Sequence, residues 1–79
     1  MKTMIKGYML IKTMPGREYD VAMKIKSIDN VVDATVTYGL WDIVVEILAP
    51  SMAEFDRTIM SIRSISGIEQ TATLISHET

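Results

Sequence analysis

The sequence predicts an α+β fold with the element order β-α-β-β-α-β, and three observations carry that expectation. Apolar residues change along the chain between the two-residue period of a strand and the 3.6-residue period of a helix. The chain also repeats itself: Glu18-Tyr19-Asp20 returns as Glu54-Phe55-Asp56, Ile25-Lys26-Ser27-Ile28 as Ile62-Arg63-Ser64-Ile65, Pro15 as Pro50, and Val31 as Ile68. Between the two copies, a tight turn at Tyr38-Gly39 makes a hairpin, glycine supplying the positive φ that a two-residue turn needs. Two similar βαβ halves joined in this way are the signature of the split βαβ, or ferredoxin-like, fold. It is a four-stranded antiparallel sheet with the first and third strands in the middle and both helices on one face.

Ile5 to Thr13 reads as the first strand, and its continuous apolar middle, Tyr8-Met9-Leu10-Ile11, suits a central place with cover on both faces. Met14-Pro15-Gly16 breaks it. From Arg17 to Ile28 the pattern is helical: Val21, Ala22, Ile25 and Ile28 share one face, while Glu18, Lys24 and Ser27 fall away from it. Asn30 is suited to terminate this helix in the left-handed conformation. Val31 to Tyr38 alternates, with Val32, Ala34, Val36 and Tyr38 on one face and Asp33, Thr35 and Thr37 on the other. Ile43 to Ala49 is a third strand almost without polar interruption. Ser51 with Glu54 three positions later is a capping box, opening a helix over Met52 to Ser64. Phe55, Ile59 and Ile62 form its apolar face, Asp56, Arg57 and Arg63 turn to solvent, and Ser66-Gly67 stops it. The last strand, Ile68 to Ile75, places Ile68, Gln70, Ala72 and Leu74 on one face and Glu69, Thr71, Thr73 and Ile75 on the other. Ser76-His77-Glu78-Thr79 is read as a short frayed tail.

With 79 residues the chain makes one domain, near the size where a single core only just offsets chain entropy. It has 48% hydrophobic residues and no cysteine, so neither disulfides nor thiolate metal sites supplement that core. The remaining route to more buried apolar surface is self-association, and the third strand indicates how. Ile43, Val45 and Ile47 point to one face, whereas Val44 and Leu48 point to the side that the helices do not cover. A contiguous apolar patch of that kind is rarely left wet, so sheet-against-sheet dimerisation is expected, with Val44, Leu48, Thr35 and Thr37 at the interface.

The formal net charge of −2, with eight basic residues scattered singly, gives no basic stripe for direct nucleic-acid binding. No run approaches the roughly 20 apolar residues of a membrane span. Met1-Lys2-Thr3-Met4-Ile5-Lys6 lacks the features of a signal peptide, so a cytoplasmic location without membrane contact is expected. Catalysis has little support: the single His77 lies in the tail, and neither a Gly-rich phosphate loop nor metal-ligand spacing is present. No cofactor or metal is expected. A small ferredoxin-like dimeric enzyme is the rival reading. It requires a polar group inside the cavity between helices and sheet, where the inward positions here are almost all aliphatic.

Trp41-Asp42 places a large amphipathic ring beside a carboxylate on a stiff hairpin, which suits a small cationic or zwitterionic ligand. The structural alternative is that Trp41 plugs one end of the core and Asp42 accepts hydrogen bonds from backbone amides.

The run Val31-x-x-Ala34-x-Val36-Thr37-x-Gly39-x-Trp41-Asp42-Ile43, followed by Met52-x-x-Phe55 and Ile65-x-Gly67-Ile68-x-x-Thr71-x-Thr73-Leu74-Ile75, covers essentially the whole chain. It resembles the effector-binding half of the Lrp/AsnC transcription regulators, the RAM (regulation of amino acid metabolism) domain. The Gly-x-aromatic-Asp turn and the closing Thr-x-Thr strand are its most specific parts. The resemblance implies a ferredoxin-like sandwich dimer, commonly assembled into a ring of four dimers (an octamer), with amino-acid effectors held between dimers. Carried onto this chain, it implies an effector loop of Tyr38, Gly39, Leu40, Trp41 and Asp42 facing Gln70, Thr71, Ala72 and Thr73 of a neighbour. Turn amides around Gly39 and the Thr71 and Thr73 hydroxyls suit a carboxylate; Asp42 and Gln70 suit an ammonium. Trp41 stands where many relatives have Tyr or Phe. Regulators of this family carry a helix-turn-helix domain first, whereas here Met1 leads straight into the first strand. The chain is therefore expected to resemble the stand-alone RAM proteins of archaea and some bacteria, a single domain over 1–79. Its expected role is to influence transcription through partners, possible partners being full-length Lrp/AsnC regulators. The alternative is a ligand-free co-assembly module for those regulators.

Overall fold

The computed structural model describes residues 4–76. Its elements are β1 (Ile5–Thr13), α1 (Glu18–Lys26), β2 (Val31–Val36), β3 (Ile43–Ala49), α2 (Met52–Arg63) and β4 (Ile68–Ile75). The strands form one antiparallel sheet in the order β2-β3-β1-β4, so β1 and β3 hold the centre as their apolar runs require. On β1, Gly7, Met9, Ile11 and Thr13 are buried, and on β3, Ile43, Val45, Ile47 and Ala49. Val21, Ala22 and Ile25 of α1 and Phe55, Ile59 and Ile62 of α2 close over that face. The opposite face carries Tyr8, Leu10, Val44, Glu46 and Leu48, and no element of this chain covers it among the described residues.

Local chemistry fixes the ends of the helices. The Ser51 hydroxyl accepts the Glu54 amide at 3.2 Å, the expected cap of α2. At the start of α1, Arg17 makes no side-chain cap and instead reaches Asp20 at 2.9 Å. That hydrogen bond first, and the charge of Lys24 second, hold the exposed Asp20 carboxyl below its usual range. Asn30 and Gly67 immediately precede β2 and β4, and both have positive φ, 73° and 100°. The same left-handed step thus feeds the last strand of each half of the repeat; Asn30 is left-handed as expected, but it does not terminate α1, whose C-cap is Ser27 in the right-handed region. A polar node that sequence reading passed over ties α2 to the start of β2. The Thr58 hydroxyl, buried on the helix, accepts from Asn30 Nδ2 at 3.1 Å and lies 3.2 Å from the Asp29 carbonyl.

Several boundaries differ from the periodicity reading. The α1 helix ends at Lys26, not Ile28, because the amides of Ser27 and Ile28 bond three residues back and tighten the last turn. The hairpin is not a two-residue turn at Tyr38-Gly39. β2 stops at Val36, and the Thr37 amide donates to the Asp42 carbonyl at 2.8 Å, closing a loop of Tyr38, Gly39, Leu40 and Trp41. Thr37 also donates its hydroxyl to the Trp41 carbonyl at 2.8 Å, a local bond that competes with continued pairing. Val32 is exposed and does not share the face of Ala34, because a register shift between Val31 and Asp33 hands the core position to Val31. A second shift, at Lys12/Thr13, leaves Glu69 without a partner and turns Ile68 to the helix side, away from the face of Gln70, Ala72 and Leu74. Ser76 is not frayed: its amide donates to the Lys6 carbonyl at 2.8 Å. His77-Glu78-Thr79 and Met1-Lys2-Thr3, read above as tail and leader-less start, lie outside the described residues.

Candidate functional site

The hairpin loop is an outward-facing platform. Tyr38 is fully exposed, Leu40 is largely exposed, and Trp41 is half-buried. Gly39 sits at φ 120° with open space where a Cβ would project, so its glycine answers to backbone angle and not to crowding. Asp42 ends the loop and is anchored twice to β1. Its amide donates to the Ile11 carbonyl at 2.8 Å, and its Oδ2 accepts the Thr13 amide at 2.8 Å, with the Thr13 hydroxyl at 3.4 Å. The carboxylate therefore serves backbone of the adjacent strand, whatever else it does.

Thr13 is only 4% exposed, so its amide has no ready substitute for that acceptor. Asp42→Ala is expected to cost about 1–3 kcal/mol of stability, the typical penalty for stranding a buried donor. The check is a urea titration in which the midpoint falls at constant slope, with Asp42→Asn, which keeps an acceptor oxygen, losing less.

Gln70, Thr71, Ala72 and Thr73 lie on β4 at a sheet edge. Thr71 and Thr73 pair with Ile11 and Met9 on the helix side, while Gln70 and Ala72 pair with Lys12 and Leu10 on the open side. The loop and this segment are not brought together within one chain, since β1 runs between β3 and β4. They do share one end of the sheet: Ile11 accepts the Asp42 amide on one flank and pairs with Thr71 on the other.

Two clefts adjoin these segments. One of about 340 Å³ lies between the loop and the start of α1 and is lined by Glu18, Tyr19, Val36, Thr37, Tyr38, Gly39 and Asp42. The other, about 310 Å³, lies where the end of α2 meets β4 and is lined by Arg63, Ile68, Glu69, Gln70 and Thr71. Glu18, Tyr19, Arg63 and Glu69 were not among the residues singled out from sequence. The internal repeat held one signal for them. Tyr19 and Phe55 are equivalent in it, yet Phe55 is 1% exposed and Tyr19 73%, so the two halves have put the same position to different uses. The interface candidates Val44, Leu48 and Thr35 lie on the open face of the sheet, and Thr37 at its rim beyond β2. There Lys6 pairs with Glu46 at 3.6 Å and lies 5.8 Å from the Tyr8 ring centroid; Tyr8 first, then Glu46, raises the Lys6 ammonium above its ordinary pKa.

The geometry is thus a ferredoxin-like sheet with one open face and an exposed hairpin loop at one end, and known proteins share it. The Lrp/AsnC ligand binding domain matches residues 6–79, and the chain belongs to that family. The HTH-type transcriptional regulator FL11 of Pyrococcus furiosus is 32% identical over 71 residues, 90% of this chain and 47% of the relative. The chain thus spans about half the length of that regulator. The crystal structure of FFRP-DM1 superposes with a TM-score of 0.86 at 28% identity, covering 92% of this chain and 99% of that one. The AsnC protein of E. coli shares the fold at a TM-score of 0.85 and 22% identity, over 95% of this chain and 52% of its own. No described helix is long and apolar enough to cross a membrane.

Proposed function

We propose that this domain is an amino-acid effector-binding and oligomerisation module of the Lrp/AsnC type, acting on transcription through partner chains and not by contacting DNA itself. The observation that carries the reading is the shared end of the sheet. An exposed loop, Tyr38 to Trp41, and the polar edge of β4, Gln70 to Thr73, flank β1 there without meeting. Two half-sites presented side by side but apart are what an effector site between subunits requires, one chain giving the loop and its neighbour the strand. The open sheet face with Leu10, Val44 and Leu48 supports a homodimer built back to back, and a site shared between the loop of one dimer and β4 of the next would link dimers into a higher ring such as an octamer. Full-length Lrp/AsnC regulators are the natural hetero-partners, because the AsnC protein of E. coli contains this fold over 95% of the present chain. The space between helices and sheet is filled by Met9, Ile11, Ile25, Val45, Phe55 and Ile62, which favours a binding module over an enzyme.

The test is light scattering on a size-exclusion column with and without the twenty amino acids, followed by calorimetry on any that change the profile. A dimer or ring that shifts with one amino acid supports the sensor and names its effector. A stable assembly indifferent to all of them makes the protein a ligand-free co-assembly module.

A further inference from the structure

Arg63 closes α2, and among the described residues no carboxylate lies within salt-bridge distance of it or of Lys12 and Lys26, whereas Lys6, Arg17, Lys24 and Arg57 each have one. Glu69 lines the same cleft as Arg63 and is likewise unpaired among the described residues. Opposite charges thus share one recess of about 310 Å³ without meeting. Glu69 owes its place to the register shift in β4, which leaves it opposite no residue of β1; bulges at sheet edges commonly re-aim a side chain in this way. Gln70 and Thr71 complete the lining with groups that both donate and accept.

Asp42 lines the other cleft and gives its Oδ2 to Thr13, so Glu69 is the carboxylate that this cleft offers an ammonium group. We infer that the cleft between α2 and β4 grips the zwitterionic end of an α-amino acid, Arg63 holding the carboxylate and Glu69 the ammonium. A ligand that bridges the two charges satisfies both at once, and a guanidinium offers a carboxylate two parallel donors. Gln70 and Thr71 then fix its orientation, and the side chain is left to project toward the loop supplied by the neighbouring subunit. This inference rests on the amino-acid reading above and adds to it the residues that read the main-chain end common to every candidate effector.

The test is calorimetry on the intact protein with each of the twenty amino acids, then with the α-amide of the tightest binder. Arg63→Gln is expected to weaken that amino acid by about 10- to 100-fold, the range of a charge-assisted hydrogen bond, with Arg63→Lys in between. Wild type should lose a similar factor on going from the acid to the amide, and Arg63→Gln should no longer distinguish the two. Glu69→Gln should weaken the amino acid without altering the acid-to-amide ratio. Unchanged affinity in Arg63→Gln, or an amide penalty equal to that of wild type, overturns the inference while leaving the sensor reading intact. Wild type that binds none of the twenty overturns both. A fall in melting temperature without a change in affinity assigns Arg63 to the helix C-terminus alone, where a cation is favoured by the helix dipole.

Discussion

Gly7→Ala is expected to be among the most damaging single-atom additions this domain can suffer. Gly7 lies on β1 and its missing side chain points to the helix side of the sheet. A Cβ there would overlap Phe55 Cζ and stand 2.7 Å from Phe55 Cε1 and 2.8 Å from the Leu74 carbonyl oxygen. Phe55 cannot yield easily, since it is 1% exposed and belongs to the core cluster, and the Leu74 oxygen is part of the β1–β4 ladder. Replacing glycine within a strand ordinarily gains about 0.5–1 kcal/mol of backbone entropy, but overpacking a tight core costs about 1–3 kcal/mol and here should reach the top of that range. For a domain of this size that is a fall in melting temperature of about 10–20 °C, measured at fixed protein concentration so that the proposed association weighs equally on both proteins. A second substitution separates the cause from any general intolerance of β1. Phe55→Leu removes the ring that the new methyl strikes, so Gly7→Ala/Phe55→Leu should be more stable than the sum of the two single losses predicts. Simple additivity would mean that the Leu74 backbone, and not the ring, sets the limit.

That contact also marks where sequence reading stopped. The element order, the central strands and the inward faces of α1, β3 and α2 were legible because burial on one side imposes a period, and the period survives in Val21-Ala22-Ile25, Ile43-Val45-Ile47 and Phe55-Ile59-Ile62. The shifts beside Val32 and Glu69 were not legible, because one extra residue in an edge strand leaves composition unchanged while reversing which side chain faces inward. Gly7 was overlooked inside an apolar run, although an isolated glycine in a strand is a sign of close approach. For the site, the loop residues stood out through Gly39 and Trp41-Asp42. The bond from Thr13 to Asp42 joins residues 29 apart, and Arg63 reaches the edge of β4 only once α2 has packed. Both depend on tertiary geometry that no local pattern records.

Val44→Lys is expected to convert the proposed back-to-back dimer to monomers without unfolding them. Val44 lies mid-strand on β3, paired with Leu10 on one side and Thr35 on the other, and it points to the open face of the sheet. In the single chain it is only part-buried, so a lysine can extend its ammonium into water and leave the helix-side core untouched. In a back-to-back dimer the same side chain meets the partner sheet, and symmetry brings two new ammonium groups into one dry interface. Like charges so placed cost several kcal/mol, which is a rise of about a thousandfold or more in the dissociation constant. The neighbouring Lys6–Glu46 pair gives little relief, since Glu46 is already engaged at 3.6 Å and a second cation beside it competes with the first. Sedimentation or light scattering across a dilution series reads the constant, and far-UV circular dichroism verifies that the strands and helices persist. Loss of the proposed dimer should also lower the thermal stability of the variant, because a dimer is stabilised by mass action and a monomer is not. An unchanged dimer would place the interface elsewhere, on the helices or on the β4 edge, and with it the geometry by which a neighbour's loop is brought to Gln70 and Thr71.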